Sequence, residues 1–386
     1  MIPRAITSEL LTLLNEYPIV TIIGPRQAGK TTLARETLTN YSYVNLENPE
    51  TRQFAIDDPK AFLKHNPGNV IFDEIQRTPH LLSYLQEIVD NNNQTGQFVL
   101  TGSHQLQLRE AISQSLAGRT GILHLLPLSI AEMKQANIQF NSFEEYVFNG
   151  FMPRIYDQQQ RPHTAYANYY QTYIERDVRQ LINIKDVSLF QKFIKLLAGR
   201  VGQLINHNSL SNDVGVDNKT IKNWLSILEA SFVIFKLNPY FENFGKRVIK
   251  SPKYYFTDTG LLTYLLDISK PEQITRDPLV GNLFENLVIL EALKTRYNKG
   301  QTPNLYFYRD SNGKEIDLLY KTGNDLIGIE IKSASTWNSG FTKTLKSFSE
   351  KQKQLYKSFV VFNGEHRSFS GGIEVINYMQ VGSIFA

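Results

Sequence analysis

Nine residues near the start of the chain, Gly24-Pro25-Arg26-Gln27-Ala28-Gly29-Lys30-Thr31-Thr32, follow the spacing G-x-x-x-x-G-K-[ST]. Two glycines at this spacing let the backbone turn tightly enough to aim successive N–H groups at one point, and such donors suit the oxygens of a phosphate chain. Lys30 offers a positive charge that can reach outer phosphates, and the Thr31 hydroxyl is a hard oxygen ligand for Mg²⁺. The chemistry open to these residues is the binding of ATP with Mg²⁺.

Hydrolysis needs a second, acidic site. Asn69-Val70-Ile71-Phe72-Asp73-Glu74 is an apolar run ending in two carboxylates. Behind a phosphate loop, Asp73 would hold the Mg²⁺ shell and Glu74 would polarise the attacking water. Two acids at a strand end can also cap the following helix. A further apolar run, Gln97-Phe98-Val99-Leu100-Thr101-Gly102-Ser103, ends in a hydroxyl. Ser103 reads either as a sensor of the γ-phosphate or as a helix N-cap.

The last third carries a different set of acids. Glu285 lies among Val288, Ile289 and Ala292 at helical spacing, which turns its carboxylate toward apolar neighbours. Two strands are expected at Lys314–Tyr320 and Leu326–Lys332. Alternation along the second puts Ile327, Ile329 and Ile331 on one face and Glu330 with Lys332 on the other. Asp317, a hairpin-length gap and then Glu330-x-Lys332 is similar to the restriction-endonuclease-like core of the PD-(D/E)xK type. That resemblance implies Asp317 and Glu330 as Mg²⁺ ligands and Lys332 as the group that orients or deprotonates water, with Glu285 completing or supporting the metal shell. A plain hairpin with charged residues on its wet face, or the same fold without activity, fits the pattern as well.

The elements that must position these groups can be read around them. Pro18–Ile23 has the β-branched composition of a buried parallel strand, and Leu33–Leu38 that of a helix, so strand, loop and helix arrive in the order a phosphate site requires. From residue 130 to 180 the pattern is helical. Phe143, Tyr146, Val147, Tyr166, Tyr169, Tyr170, Tyr173 and Ile174 recur at core spacing, broken by Gly150, Pro153 and Pro162, which suggests a helical lid and linker. Helices are expected at Leu189–Ile205, Leu210–Val214 and Asn218–Leu228, the last capped by Asp217. A strand at Phe232–Leu237, a turn-rich tip and a basic strand at Lys246–Lys250 follow. This order spells a winged helix-turn-helix. Its exposed Lys219, Lys222 and Asn223, with Lys246, Arg247 and Lys250 on the wing, would meet nucleic-acid phosphates; winged helices also dock proteins.

Composition narrows the classes further. With 386 residues, 41% hydrophobic, the chain is long enough for two or three domains. The absence of cysteine removes disulfides, thiol catalysis and Cys-bound metals, and fits a reducing compartment. No apolar run approaches the roughly 18 residues of a membrane span, so a cytoplasmic protein with no membrane partner is expected. Residues 1–150 carry 11 basic and 15 acidic side chains, and residues 151–386 carry 30 and 22. A polyanion such as DNA should therefore meet the second part.

The segments Gly24–Thr32, Val70–Gln76, Leu100–Ser103, Ser115–Arg119, Leu126–Ser129 and Tyr173–Arg179, with the acidic tail motif, resemble the prokaryotic AAA-type ATPases that carry a C-terminal domain of unknown function of the DUF4143 type. The resemblance covers nearly the whole chain. It implies an α/β protein with an AAA-type P-loop domain (1–130), a helical lid (131–188), a winged helix (189–270) and a nuclease-like α/β domain (271–386). It also implies a homo-oligomer with ATP, in which an arginine acts on the neighbouring subunit's nucleotide. Arg119 is the nearest positional match and Arg109 the next, and either can equally be an ordinary surface arginine. Three functions remain in view: an ATPase acting on DNA, a nucleotide-controlled adaptor whose winged helix and tail bind protein, and a metal-dependent nuclease to which the ATPase gates access.

Overall fold

The computed structural model describes residues 2–92, 94–102, 112, 115–178, 186–240, 251–350, 355–365, 367–368 and 372–385. Helix α1 (Thr7–Glu16) precedes strand β1 (Ile19–Ile23), and the glycine loop of residues 24–29 leads into α2 (Lys30–Thr37). Strands β2 (Ser42–Asn45), β3 (Val70–Asp73), β4 (Phe98–Gly102) and β5 (Thr120–His124) complete a parallel sheet in the order β2-β3-β4-β1-β5. Every residue of β1 is buried, as its β-branched run requires. Val20 and Ile22 join the core with α1 and α2, while Ile19 and Ile23 join the core on the other face. Helices on both faces and a P-loop NTPase-like sheet make this part α/β, as expected.

Prolines open several of the helices that follow, at Pro153–Asp157 and Pro162–Tyr169 among them, where a missing N–H is harmless. The expected core aromatics of this region, Tyr146, Tyr166, Tyr169 and Tyr173, are all buried.

Three helices come next: α3 (Val187–Ala198), α4 (His207–Val214) and α5 (Asn218–Ala230). The first is shorter than its apolar pattern suggests. The chain turns at Gly199 and then at Gly202, whose φ of +68 places it in the left-handed region while its N–H pairs with Tyr254 O at 3.0 Å. Strand β6 (Ile234–Pro239) pairs antiparallel with β7 (Lys253–Phe256). The returning strand is thus the Lys-Tyr-Tyr-Phe run after Pro252, and the basic run 246–250 lies outside the described residues.

The tail begins with the long helix α6 (Val280–Asn298), followed by β8 (Leu305–Arg309), β9 (Glu315–Thr322), β10 (Asp325–Lys332), β11 (Leu355–Phe362), β12 (Arg367–Ser368) and β13 (Ile373–Asn377). Their sheet runs β12-β13-β11-β10-β9-β8-β6-β7. β6 pairs parallel with β8 at Asn238–Tyr306 and Pro239–Phe307, so the hairpin and the tail share one sheet. The alternation in β10 holds: Ile327, Ile329 and Ile331 enter the core that includes Leu287 and Val288 of α6. Among the described residues no helix is long and apolar enough to cross a membrane.

Candidate functional site

The loop after β1 is built for close approach. A Cβ at Gly24 would collide with the Leu125 carbonyl oxygen, so glycine is required there, and Gly29 has φ +91 just before α2 begins. Lys30 is 6% exposed, and its Nζ donates to Gly24 O at 3.0 Å and Pro25 O at 2.8 Å. Burial lowers its pKa to about 8, although Glu74 and Asp73 act in the opposite direction.

Asp73 reaches the loop from β3, across the intervening β4. Its Oδ1 accepts from Thr31 Oγ1 at 2.9 Å and from Thr101 Oγ1, and its Oδ2 from Tyr43 OH at 2.8 Å. Burial and the Asp73 carboxylate push the Tyr43 hydroxyl's pKa upward. Thr31 and Asp73 thus present two hard oxygen donors side by side, a set that fits Mg²⁺. Glu74 follows at φ +58, its N–H donating to Thr101 Oγ1 at 3.3 Å, while Gln76 Nε2 donates to Glu74 Oε2. Lys30, Thr31, Asp73 and Glu74 border an open cavity of about 1000 Å³ shared with Arg26, Gln27, Thr32 and Arg154.

Ser103 and Arg109 lie outside the described residues. Thr101, which the sequence reading passed over, makes the contacts to Asp73 and Glu74 from the same strand. Tyr43 carries no sequence signal of this role, and Gln76 has only its place at the end of the Val70–Gln76 segment, two residues after Glu74. Arg119 sits at the other end of the sheet, where its carbonyl accepts from Ile19 N at 3.2 Å. One strand length, roughly 17 Å, separates that edge from the loop. Its guanidinium is bidentate on Asp90, at 2.5 and 2.9 Å.

In the middle region Ile221, Trp224, Leu225 and Leu228 of α5 are buried, and Lys219, Lys222 and Asn223 are exposed on the opposite face. Asp217 caps the helix through Thr220 N at 2.7 Å. Lys246, Arg247 and Lys250 lie outside the described residues.

The tail brings Asp317, Glu330 and Lys332 together. Lys332 Nζ lies 2.7 Å from Glu330 Oε2 and 3.3 Å from Asp317 Oδ2, which also accepts from Ile331 N at 2.7 Å. Glu330 is 3% exposed, and among the described residues its Oε1 has no hydrogen-bond partner. Burial first, then the neighbouring Asp317, push its pKa up to about 8. Glu285 is engaged elsewhere: its Oε1 accepts from Lys253 Nζ at 3.0 Å and Tyr255 OH at 2.5 Å. Burial raises Glu285 to about 7, with Lys253 opposing and Asp317 adding to the shift. Lys253 also meets Glu315 at 2.5 Å, and Arg309 meets Glu315 at 2.8 Å. Among the described residues no three acidic or histidine side chains converge as a group that could hold a metal ion.

Three known domain families match successive parts of the chain. The AAA domain matches residues 16–134, a domain of unknown function designated DUF8612 matches residues 140–272, and the domain of unknown function DUF4143 matches residues 280–381. The chain belongs to the family of AAA-domain proteins with a C-terminal DUF4143 domain. An uncharacterized protein of Mycobacterium tuberculosis is 31% identical over 369 residues, covering 94% of this chain and 80% of its own. A Haemophilus influenzae protein, also uncharacterized, is 24% identical over 370 residues, covering 87% and 88%. Among solved structures, a Walker-type ATPase of Pyrococcus abyssi aligns with TM-score 0.46 and 14% identity over 68% of this chain and 94% of its own.

Proposed function

We propose that this protein binds and hydrolyses ATP at the loop Gly24–Thr32. The carrying observation is the convergence of Lys30, Thr31, Asp73 and Glu74 on one open cavity. Lys30 exchanges its loop carbonyls for the β- and γ-phosphates, and the backbone N–H groups before α2 receive the remaining phosphate oxygens. Thr31 and Asp73 would hold Mg²⁺, which would neutralise charge on the phosphate chain. Glu74, oriented by Gln76 and Thr101, accepts the proton of the attacking water.

Lys30→Ala should abolish tight nucleotide binding, whereas Glu74→Gln should keep binding and lose at least about a hundredfold in kcat. Wild-type turnover by Glu74→Gln removes Glu74 from the reaction. Arg119 remains a trans-acting arginine of a homo-oligomer in this proposal, reaching a neighbour's nucleotide from the far sheet edge. Mixing Arg119→Ala with Lys30→Ala protein should then restore some turnover.

We infer for the rest of the chain that residues 189–270 act as a winged helix on DNA, through Lys219, Lys222 and Asn223, and that residues 271–386 form a nuclease-like domain centred on Asp317, Glu330 and Lys332. Nucleotide state would control how this basic part engages DNA. A second reading is favoured by the ion pairs themselves: Lys332 and Lys253 already neutralise the tail carboxylates. In that reading the tail is a non-catalytic scaffold and the winged helix docks protein. Plasmid nicking in Mg²⁺ or Mn²⁺, with and without ATP, separates the two for the tail, and salt-dependent duplex binding separates them for the helix.

A further inference from the structure

Arg4 precedes α1 and belongs to none of the motifs above, yet its guanidinium bonds a carbonyl of the phosphate loop, and the residue itself borders the nucleotide cavity. Nη1 donates to Ala28 O at 2.7 Å, Nη2 to Leu126 O at 2.6 Å, and Nε to Glu132 Oε1 at 3.0 Å. The side chain is 8% exposed, and a Cβ on Gly29 would lie 3.6 Å from Nη1. We propose that Arg4 is a positioning residue for nucleotide binding, fixing the loop's carbonyl side and tying the loop's shape to the docking of α6. The proposal rests on reading Gly24–Thr32 as a phosphate loop.

The physical reason lies in the peptide groups. When loop N–H groups turn toward phosphates, the carbonyls of the same peptides turn away and need donors of their own. A buried carbonyl without one carries the full cost of desolvation. A guanidinium spans several acceptors in a fixed plane, whereas an ammonium is a compact donor on a flexible stem.

The guanidinium is itself held. Glu132 accepts from Ala5 N at 2.8 Å as well as from Arg4, and its Oε2 accepts from Ser129 N at 2.7 Å. The next residue, Ile130, donates its N–H to Glu291 Oε2 at 2.8 Å on α6. From the same helix, Lys294 Nζ donates to Leu128 O at 2.6 Å and to Glu291 Oε1 at 2.8 Å. Glu132, Glu291 and Lys294 are each at most 4% exposed, and none of them borders the nucleotide cavity. A run of buried polar contacts therefore joins Ala28 to the tail helix. Two sites linked by such a run should show coupled energetics, which a double-mutant cycle measures directly.

The test uses the full chain, fluorescent ADP binding, steady-state ATP hydrolysis and the thermal midpoint without nucleotide. Arg4→Met should weaken ADP binding and raise KM at least about tenfold while changing kcat little, and Arg4→Lys should recover part of the loss. Lys294→Met should weaken ADP binding about threefold from outside the cavity, and the double variant should bind no worse than Arg4→Met alone. Should Arg4→Met be too unstable to study, Glu132→Gln, which leaves Arg4 present but less firmly held, should show an intermediate loss. A lowered midpoint with unchanged ADP affinity in Arg4→Met or Glu132→Gln would overturn the positioning role. Additive losses in the double variant would overturn the tie to α6. Lys30→Ala distinguishes failure of the premise: normal binding there refutes the phosphate loop itself, whereas lost binding there beside normal binding in Arg4→Met refutes Arg4 alone.

Discussion

The buried lysine of the phosphate loop makes nucleotide affinity depend on pH in a calculable way. In the free protein burial lowers Lys30 to about 8. Bound phosphates add negative charge beside its Nζ, so the complex keeps the ammonium protonated well above that value. A group whose pKa rises on binding contributes its full affinity below the free value and loses it as pH climbs through that value. The fraction of free protein ready to bind is about nine-tenths at pH 7, half at pH 8 and one-tenth at pH 9. ADP should therefore bind about tenfold more weakly at pH 9 than at pH 7, or about 1.4 kcal/mol. Calorimetric titration at constant ionic strength and saturating Mg²⁺, in two buffers of different ionisation enthalpy, reads both quantities. Proton uptake should approach one per nucleotide at pH 9 and fall to about 0.1 at pH 7. Lys30→Met should bind weakly with no comparable loss across this range. Equal wild-type affinity at both pH values, with no proton uptake at pH 9, would refute the assignment of Lys30 as the desolvated phosphate ligand.

Three further outcomes follow from the second half of the chain. Reversing Lys219 and Lys222 to glutamate should lower duplex affinity and flatten the logarithmic salt dependence by about two, one for each lost phosphate contact; an unchanged slope in a fluorescence-anisotropy titration moves the contact away from α5. Lys253→Met leaves Glu285 and Glu315 without their shared buried counter-ion and should cost about 3–5 kcal/mol in urea unfolding. Asp317→Asn gives up the 3.3 Å contact with Lys332 at both pH values, but it should be better tolerated at pH 8 than at pH 5. The folded Glu330 has a raised pKa, so its neighbour's charge opposes folding as pH rises from the ordinary carboxylate range toward about 8. The stability of the variant relative to wild type should be about 1 kcal/mol more favourable at pH 8 than at pH 5, and no gain between the two pH values contradicts it.

What could be read from the residues and what could not divides along sequence distance. The loop Gly24–Thr32 and the Asp73-Glu74 pair are contiguous, and their chemistry follows from residue type and spacing alone. The partners that complete them come from other strands. Thr101 and Tyr43 meet Asp73 only because β4 and β2 flank β3, an order that alternation within a strand does not encode. Arg4 lies 24 residues from the carbonyl it holds and 128 from Glu132. Lys253 was hidden by its type: lysines are ordinarily exposed, and this one is buried only because α6 and β9 bring Glu285 and Glu315 to it. Glu285 shows the complementary limit. Helical spacing placed its carboxylate toward apolar neighbours, but it could not reveal that a cation from β7 reaches the same place.

The shared sheet limits how nucleotide binding can act on the basic half. β6 is joined to β8 by its strand pairing and by Tyr240 N to Phe307 O at 2.7 Å, and β7 is fastened by Lys253 to α6 and β9. Rotating the hairpin against the tail would break these bonds and separate the buried Lys253 from its two part-buried carboxylates, which makes that joint an expensive place to move. The contacts on the ATPase side differ. Pro153 and Arg154 approach the loop from a short helix, and Pro153 Cγ lies 3.9 Å from where a Gly29 Cβ would be. Arg154 is exposed and bonds Gln158 within its own turn, so a bound phosphate chain could recruit it without breaking a buried contact. Motion coupled to the nucleotide is therefore expected at residues 153–158, with the hairpin and the tail carried together.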